Sequence, residues 1–171
     1  MELVGDKMEN QQKHFMELYF QEKDVSKRNE ILRQLLCDLP ADAKDFFFTV
    51  FKKERYLDMK LRAVRGYAAY ASEDEVTVLM EKLLELLIKR AAKTPFNYTE
   101  YEPMRSVFLM QYLLAHYDYA CFRSFHIQLE KQYNDMPACF RNIFTLDEMG
   151  NVHTIREKEE VEQSWKEFWG R

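Results

Sequence analysis

At 171 residues the chain has ordinary single-domain length, enough to bury roughly 70% of the surface its unfolded form exposes. An apolar fraction of 47% excludes disorder as the default, and only four Gly and four Pro beside thirteen Phe and ten Tyr favour helices over sheets. A formal charge of −4 weighs against nucleic acid as the main partner, because phosphate binding needs a cationic surface.

Residues 1–15 lack the apolar core of a signal peptide, and no run approaches about eighteen uncharged apolar residues, so no membrane span is expected. Cys37, Cys121 and Cys139 show no CxxC spacing and leave an odd number. They read as small buried hydrophobes in a reducing, cytoplasmic compartment.

In chain order, Ile31, Leu32, Leu35 and Leu36 predict a helix over 25–39, stopped near Pro40. Phe46, Phe47, Val50 and Phe51 predict its partner over 42–54. The three consecutive phenylalanines at 46–48 cannot share one helical face, so one must point sideways to an adjacent element or a partner. Leu57, Leu61, Val64, Ala68 and Ala71 make the stripe of a helix over 55–71, where Asp58 and Arg62 stand one turn apart as an exposed pair worth a few tenths of a kcal/mol. Gly66 costs that helix about 1 kcal/mol relative to Ala, a loss that close packing against a neighbour would offset.

Ser72 and Glu75 have capping-box spacing and open a helix over 73–92. Its stripe is Val76, Leu79, Met80, Leu83, Leu84, Leu87 and Ile88, and Pro95 follows its end. Small residues late in the helix over 55–71 and the tight reversal at Ser72 predict a helical hairpin with facing stripes. A polar, aromatic connector fills 93–103. Pro103 suits a first helical turn, and the apolar run 107–115 predicts a central helix. Asp118 is placed to cap the next helix, whose face is Cys121, Phe122, Phe125, Leu129 and Tyr133.

Residues 143–155, with Gly150 and Asn151 between short alternating runs, read either as a small β-hairpin or as a looped excursion. Thr154 and Glu157 repeat the capping-box spacing before a final helix with Val161, Trp165, Phe168 and Trp169, expected to dock on the body. The expectation is one all-α domain over 1–171. It is an irregular stack of about seven to eight helices, in antiparallel hairpins beginning near 24, 55 and 102.

Residues 58–88, "DMKLRAVRGYAAYASEDEVTVLMEKLLELLI", resemble the core of a HEAT-like repeat. Asp58, Leu61, Arg62, Arg65, Ala68 and Ala69 stand where such repeats place an acidic turn residue and an apolar-Arg-x-x-Ala stretch. The match spans about one repeat. The resemblance implies an α-solenoid-like stack with a binding face and no enzymatic activity.

No phosphate-cradling glycine loop, HExxH or GxSxG motif is present. His14, His116, His126 and His153 offer no ligand spacing: Cys121 and His126 lie about 500° apart around a helix. No metal or cofactor is expected. Glu100 and Glu102, flanked by Tyr98 and Tyr101 and followed by Arg105, read as a polar rim on a protein-binding surface or as a helix cap. Acid–base chemistry is the alternative. The acidic run Glu157, Glu159, Glu160 and Glu162 suits a helix start.

The expected function is a non-catalytic protein-binding module, in its narrower form an immunity- or antitoxin-like inhibitor of a basic protein. Its partner-binding residues would be Tyr98, Glu100, Tyr101, Glu102 and Arg105, with Arg62 and Arg65. Two alternatives stay open. One is a HEAT-like nucleic-acid-binding or base-processing protein using Lys52, Lys53, Arg55, Lys60, Arg62 and Arg65. The other is a small-molecule enzyme working through the acids and tyrosines at 98–105.

Overall fold

A computed structural model describes residues 2–93, 101–135, 144–146, 148, 152–154 and 156–169, and side chains at 5–89, at 106–135 and at part of the C-terminal segments. Among these residues the protein is an all-α helical stack. Its helices are α1 (Glu2–Gln21), α2 (Val25–Cys37), α3 (Lys44–Lys53), α4 (Leu57–Ala68), α5 (Glu73–Lys93), α6 (Tyr101–His116), α7 (Ala120–Asn134) and α8 (Lys158–Trp169). Between α7 and α8 a short antiparallel ribbon pairs β1 (Phe144–Leu146) with β2 (Val152–Thr154), Phe144 opposite Thr154.

The core is organised around α4. All twelve of its residues are buried, because α2, α3, α5 and α6 each pack on a different side of it. The stripe at Leu57, Leu61, Val64 and Ala68 covers only one face. The remaining faces carry Asp58, Lys60, Arg62 and Arg65, and these too are 2–8% exposed. Asp58 and Arg62 are therefore interior residues and not the exposed pair their spacing suggests. Long cationic stems lie along apolar surface while their heads find oxygen or a ring. Lys60 donates to the Phe51 carbonyl and lies 4.7 Å from the Phe51 ring centre.

The pairing of helices differs from the expected hairpins. α4 meets α5, as the tight reversal predicts, but its most extensive contact is with α3, and α2 packs on α1 and α4. The reason sits at Gly66. A Cβ there would meet three ring carbons of Phe47 at 2.3–2.5 Å, so the missing side chain is the slot that receives the α3 phenylalanine. Close packing is thus the role of Gly66, against the preceding helix and not the following one.

All three consecutive phenylalanines are used. Phe47 is fully buried, Phe46 meets Tyr19 and Phe20 of α1, and Phe48 meets Tyr67 of α4.

Polar clamps fix the ends. Glu54, at the C-terminal cap of α3, accepts from the Tyr19 hydroxyl of α1 and from Arg28 Nε of α2 at 2.8 Å; Arg28 Nη1 also donates to the Lys23 carbonyl at 2.9 Å. Burial, and then the Glu54 carboxylate, push the Tyr19 phenol far above its ordinary value. Periodicity in the first residues does not announce α1, whose fully buried anchor is Tyr19, with Phe15, Met16 and Leu18 partly buried. The Ser72–Glu75 capping box forms as expected: Ser72 N donates to Glu75 Oε2 at 2.8 Å, and Glu75 N to Ser72 Oγ at 3.3 Å.

Four further expectations are corrected. The run 107–115 packs on α4, α7 and the ribbon but is not enclosed all round: Val107, Leu109, Met110 and Leu113 are buried, whereas Gln111 and Ala115 are exposed. Asp118 does not cap α7, whose N-cap residue is Tyr119 and which has no side-chain cap; Asp118 pairs with Arg123 instead. Thr154 lies in β2, so α8 has no capping box there, and Arg156 Nη2 donates to Ser164 Oγ at 2.7 Å. Cys37 is exposed, not a buried hydrophobe, while Cys121 is half-buried. Pro95, Gly150, Asn151, Cys139 and the side chains of Trp165, Phe168 and Trp169 lie outside the described residues.

Candidate interaction surface

The residues expected at a binding surface do not gather. Tyr98 and Glu100 lie outside the described residues. Tyr101, Glu102 and Arg105 belong to the start of α6, with side chains outside the description. Arg62 and Arg65 sit inside the stack at 2% and 8% exposure, because α4 is enclosed. Arg65 packs on Tyr112, seven residues beyond Arg105 and so about 10 Å further along α6. The basic stretch divides likewise: Lys52, Lys53 and Arg55 are exposed, while Lys60, Arg62 and Arg65 are buried.

What the fold does gather is an aromatic corner where α6 turns into α7. The Arg65 guanidinium carbon lies 3.7 Å from the Tyr112 ring centre, and the His116 ring stacks 3.9 Å from it at 21°. Both distances are too short for an edge approach, so Arg65 and His116 cover opposite faces of Tyr112. His116 Nδ1 is 2.8 Å from the Tyr112 carbonyl, which can only accept; Nδ1 therefore carries the hydrogen, and the exposed ring keeps Nε2 for a partner.

The connection Tyr117–Asp118–Tyr119 continues the cluster. Both tyrosines are half-buried, their ring centres 5.3 Å apart, and both rest on the fully buried Phe122 at 5.9 and 5.4 Å. Burial raises the Tyr117 phenol above its usual value. The Tyr112 and Tyr119 phenols add to the rise and Arg65 opposes it. Burial also raises the Cys121 thiol, with Thr77 and Glu73 among its neighbours, so that thiol is a poor nucleophile. α5 packs on α7, and Glu73 of its first turn acts on that thiol. Asp118 is almost fully exposed at its tip.

Chemically this is a recognition arrangement. Tyrosine rings offer a broad amphipathic surface with two side-chain torsions to order, and here packing on Phe122 has already ordered them. The sequence signal was present: "HYDY" at 116–119 places aromatics and a carboxylate on a short inter-helix turn. By itself that turn suggests only the Asp118 cap. Elsewhere, a groove of about 160 Å³ between α1 and α2, lined by Met8, Phe15, Leu35 and Asp38, is small beside the roughly 300 Å³ or more of ligand pockets. Among the described residues no group of three or more His, Cys, Asp or Glu side chains is placed to hold a metal, and no helix is long and apolar enough to cross a membrane. Comparison with protein families, with curated proteins and with solved structures finds no match.

Proposed function

We propose that this chain is a non-catalytic protein-binding module of the helical-stack type, HEAT-like in its α4–α5 segment, and that it recognises its partner through the corner at residues 112–123. The observation that supports this reading is the packed tyrosine cluster: Tyr117 and Tyr119 on the buried Phe122, next to Tyr112 on the buried Arg65. Tyr is among the residue types that most often carry interface energy. Glu73 and the exposed Asp118, on a chain of net charge −4, suit a partner with a basic face. The narrower reading is an immunity- or antitoxin-like inhibitor, whose acidic surface blocks a basic enzyme.

The interior position of Lys60, Arg62 and Arg65 weakens the nucleic-acid alternative, since half of its six cations are not at the surface. Affinity capture from the native source tests the proposal, with the wild-type chain beside Asp118→Lys and Tyr119→Ala. Asp118→Lys is fold-neutral, because its pair with Arg123 is exposed on both sides. A protein recovered by the wild type at physiological salt and depleted with both variants supports the reading. Recovery of nothing, or equal recovery by all three, contradicts it.

A further inference from the structure

We infer that the groove between α1 and α2 is an anchor point for one arginine or lysine side chain of a partner protein. It lies on other helices than the aromatic corner and does not rest on that reading. Asp38 is the C-cap residue of α2, where the helix backbone already presents its negative end. The last turn of α2 contains no basic residue. A cation suits that position, and an acid stands there instead.

The acid is nonetheless held in place. Gln12 Nε2 of α1 donates to the Asp38 carbonyl and to Asp38 Oδ2, both at 2.9 Å, which ties the two helices together across the groove. Among the described residues Oδ1 takes no donor, and no cation lies within ion-pair distance of Asp38. Lys13 and Arg33, which follow Gln12 and precede Gln34 in the sequence, pair with Glu9 at 2.8 Å and with Glu30 at 3.5 Å.

The rest of the lining is Met8, Phe15 and Leu35, which are apolar, and Gln11 and Gln34, which are neutral. One negative charge, no positive one and an apolar wall are the complement of a cation carried on a hydrocarbon stem. The size agrees. The groove's volume of about 160 Å³ is close to that of a cavity of about 150 Å³ that takes up benzene, so it admits one long side chain while the body carrying it stays outside. A bare metal ion would find a single carboxylate, short of the ligand set it needs. A wholly apolar side chain would cover the carboxylate without pairing it, at a cost in desolvation.

Amide-resolved NMR of the full chain, titrated at low salt with a short peptide carrying one arginine between alanines, tests this. The amides of Gln12, Leu35 and Asp38 should shift together and saturate. Asp38→Asn keeps an oxygen for Gln12 and removes the charge, and Gln34→Lys places a cation one helical turn from Asp38 without touching the clamp. Each variant should weaken binding about fivefold, the upper range for an exposed ion pair. Absence of saturable shifts at these amides overturns the inference, as does unchanged affinity in either variant. Stronger binding at the same amides by a peptide with leucine in place of arginine also overturns it and hands the groove to an apolar segment. Shifts confined to residues 112–123 would refute the anchor and leave the aromatic corner standing.

Discussion

Replacing Gly66 by Ala in a helix interior would ordinarily stabilise a protein by about 1 kcal/mol. Here the structure reverses the sign. The new methyl would stand 2.3–2.5 Å from three ring carbons of Phe47, where carbon contacts settle at about 3.5–4.0 Å. Phe47 has little room to retreat: it is fully buried, with the Phe46 ring 5.2 Å away and the Tyr70 ring 6.3 Å away. Overpacking of this kind costs roughly 1–3 kcal/mol, and the depth of the overlap points to the upper end. After the propensity gain, Gly66→Ala should destabilise by about 2 kcal/mol, a fall in Tm of about 4–8 °C for a chain of this length. Urea unfolding followed by far-ultraviolet circular dichroism measures it. The decisive comparison is the Phe47→Ala background, itself weaker by roughly 3–5 kcal/mol, in which the ring is gone and Gly66→Ala should stabilise. A stabilising Gly66→Ala in the wild type refutes the slot, and so does an equal loss in both backgrounds.

Glu54→Ala should cost roughly 3–5 kcal/mol in chemical denaturation, because it leaves Arg28 and the buried Tyr19 hydroxyl without their carboxylate. In a phenol absorbance titration Tyr19 should ionise only as the fold is lost, and Tyr70 and Tyr117 should ionise later than a free phenol, since their folded values are raised. Stability from a raised phenol is complete below the unfolded value of about 10 and is lost as pH rises beyond it, so Tyr19→Phe should flatten the alkaline decline. Glu75 behaves oppositely. Lys44 Nζ at 2.7 Å, and then the Ser72 backbone N–H, lower its value, so its contribution is present above the ordinary carboxylate range and fades as pH falls through the lowered one. The urea midpoints of wild type and Glu75→Gln should converge in that acid window; a gap that widens on acidification would contradict the pairing.

Helices with a single apolar stripe and a strong start signal were legible from sequence. The stretch opened by Ser72 and Glu75 is the clearest case, because cap and periodicity agree and both act locally. What escaped was set by neighbours. Nothing local says that a helix bearing Asp58, Lys60, Arg62 and Arg65 will be covered on every side, since those residues usually mark a solvated face. Gly66 announced a close approach but not from which helix, and the partner proved to be Phe47 of the preceding one. The candidate surface was missed for a related reason. Tyr117 and Tyr119 are unremarkable in the sequence until Phe122 holds them together, and Glu54 looks like the counter-charge of its neighbours until it turns inward.

α4 is enclosed, so that its charged residues hold the stack together and recognition falls to the outer corners. Native-state hydrogen exchange, resolved by residue, tests that most directly. Amides at 61–68 should be among the slowest in the protein and should exchange only through global unfolding, well behind those of α1. Exchange of α4 at the rate of α1 would make it a surface helix and return Arg62 and Arg65 to the list of recognition residues.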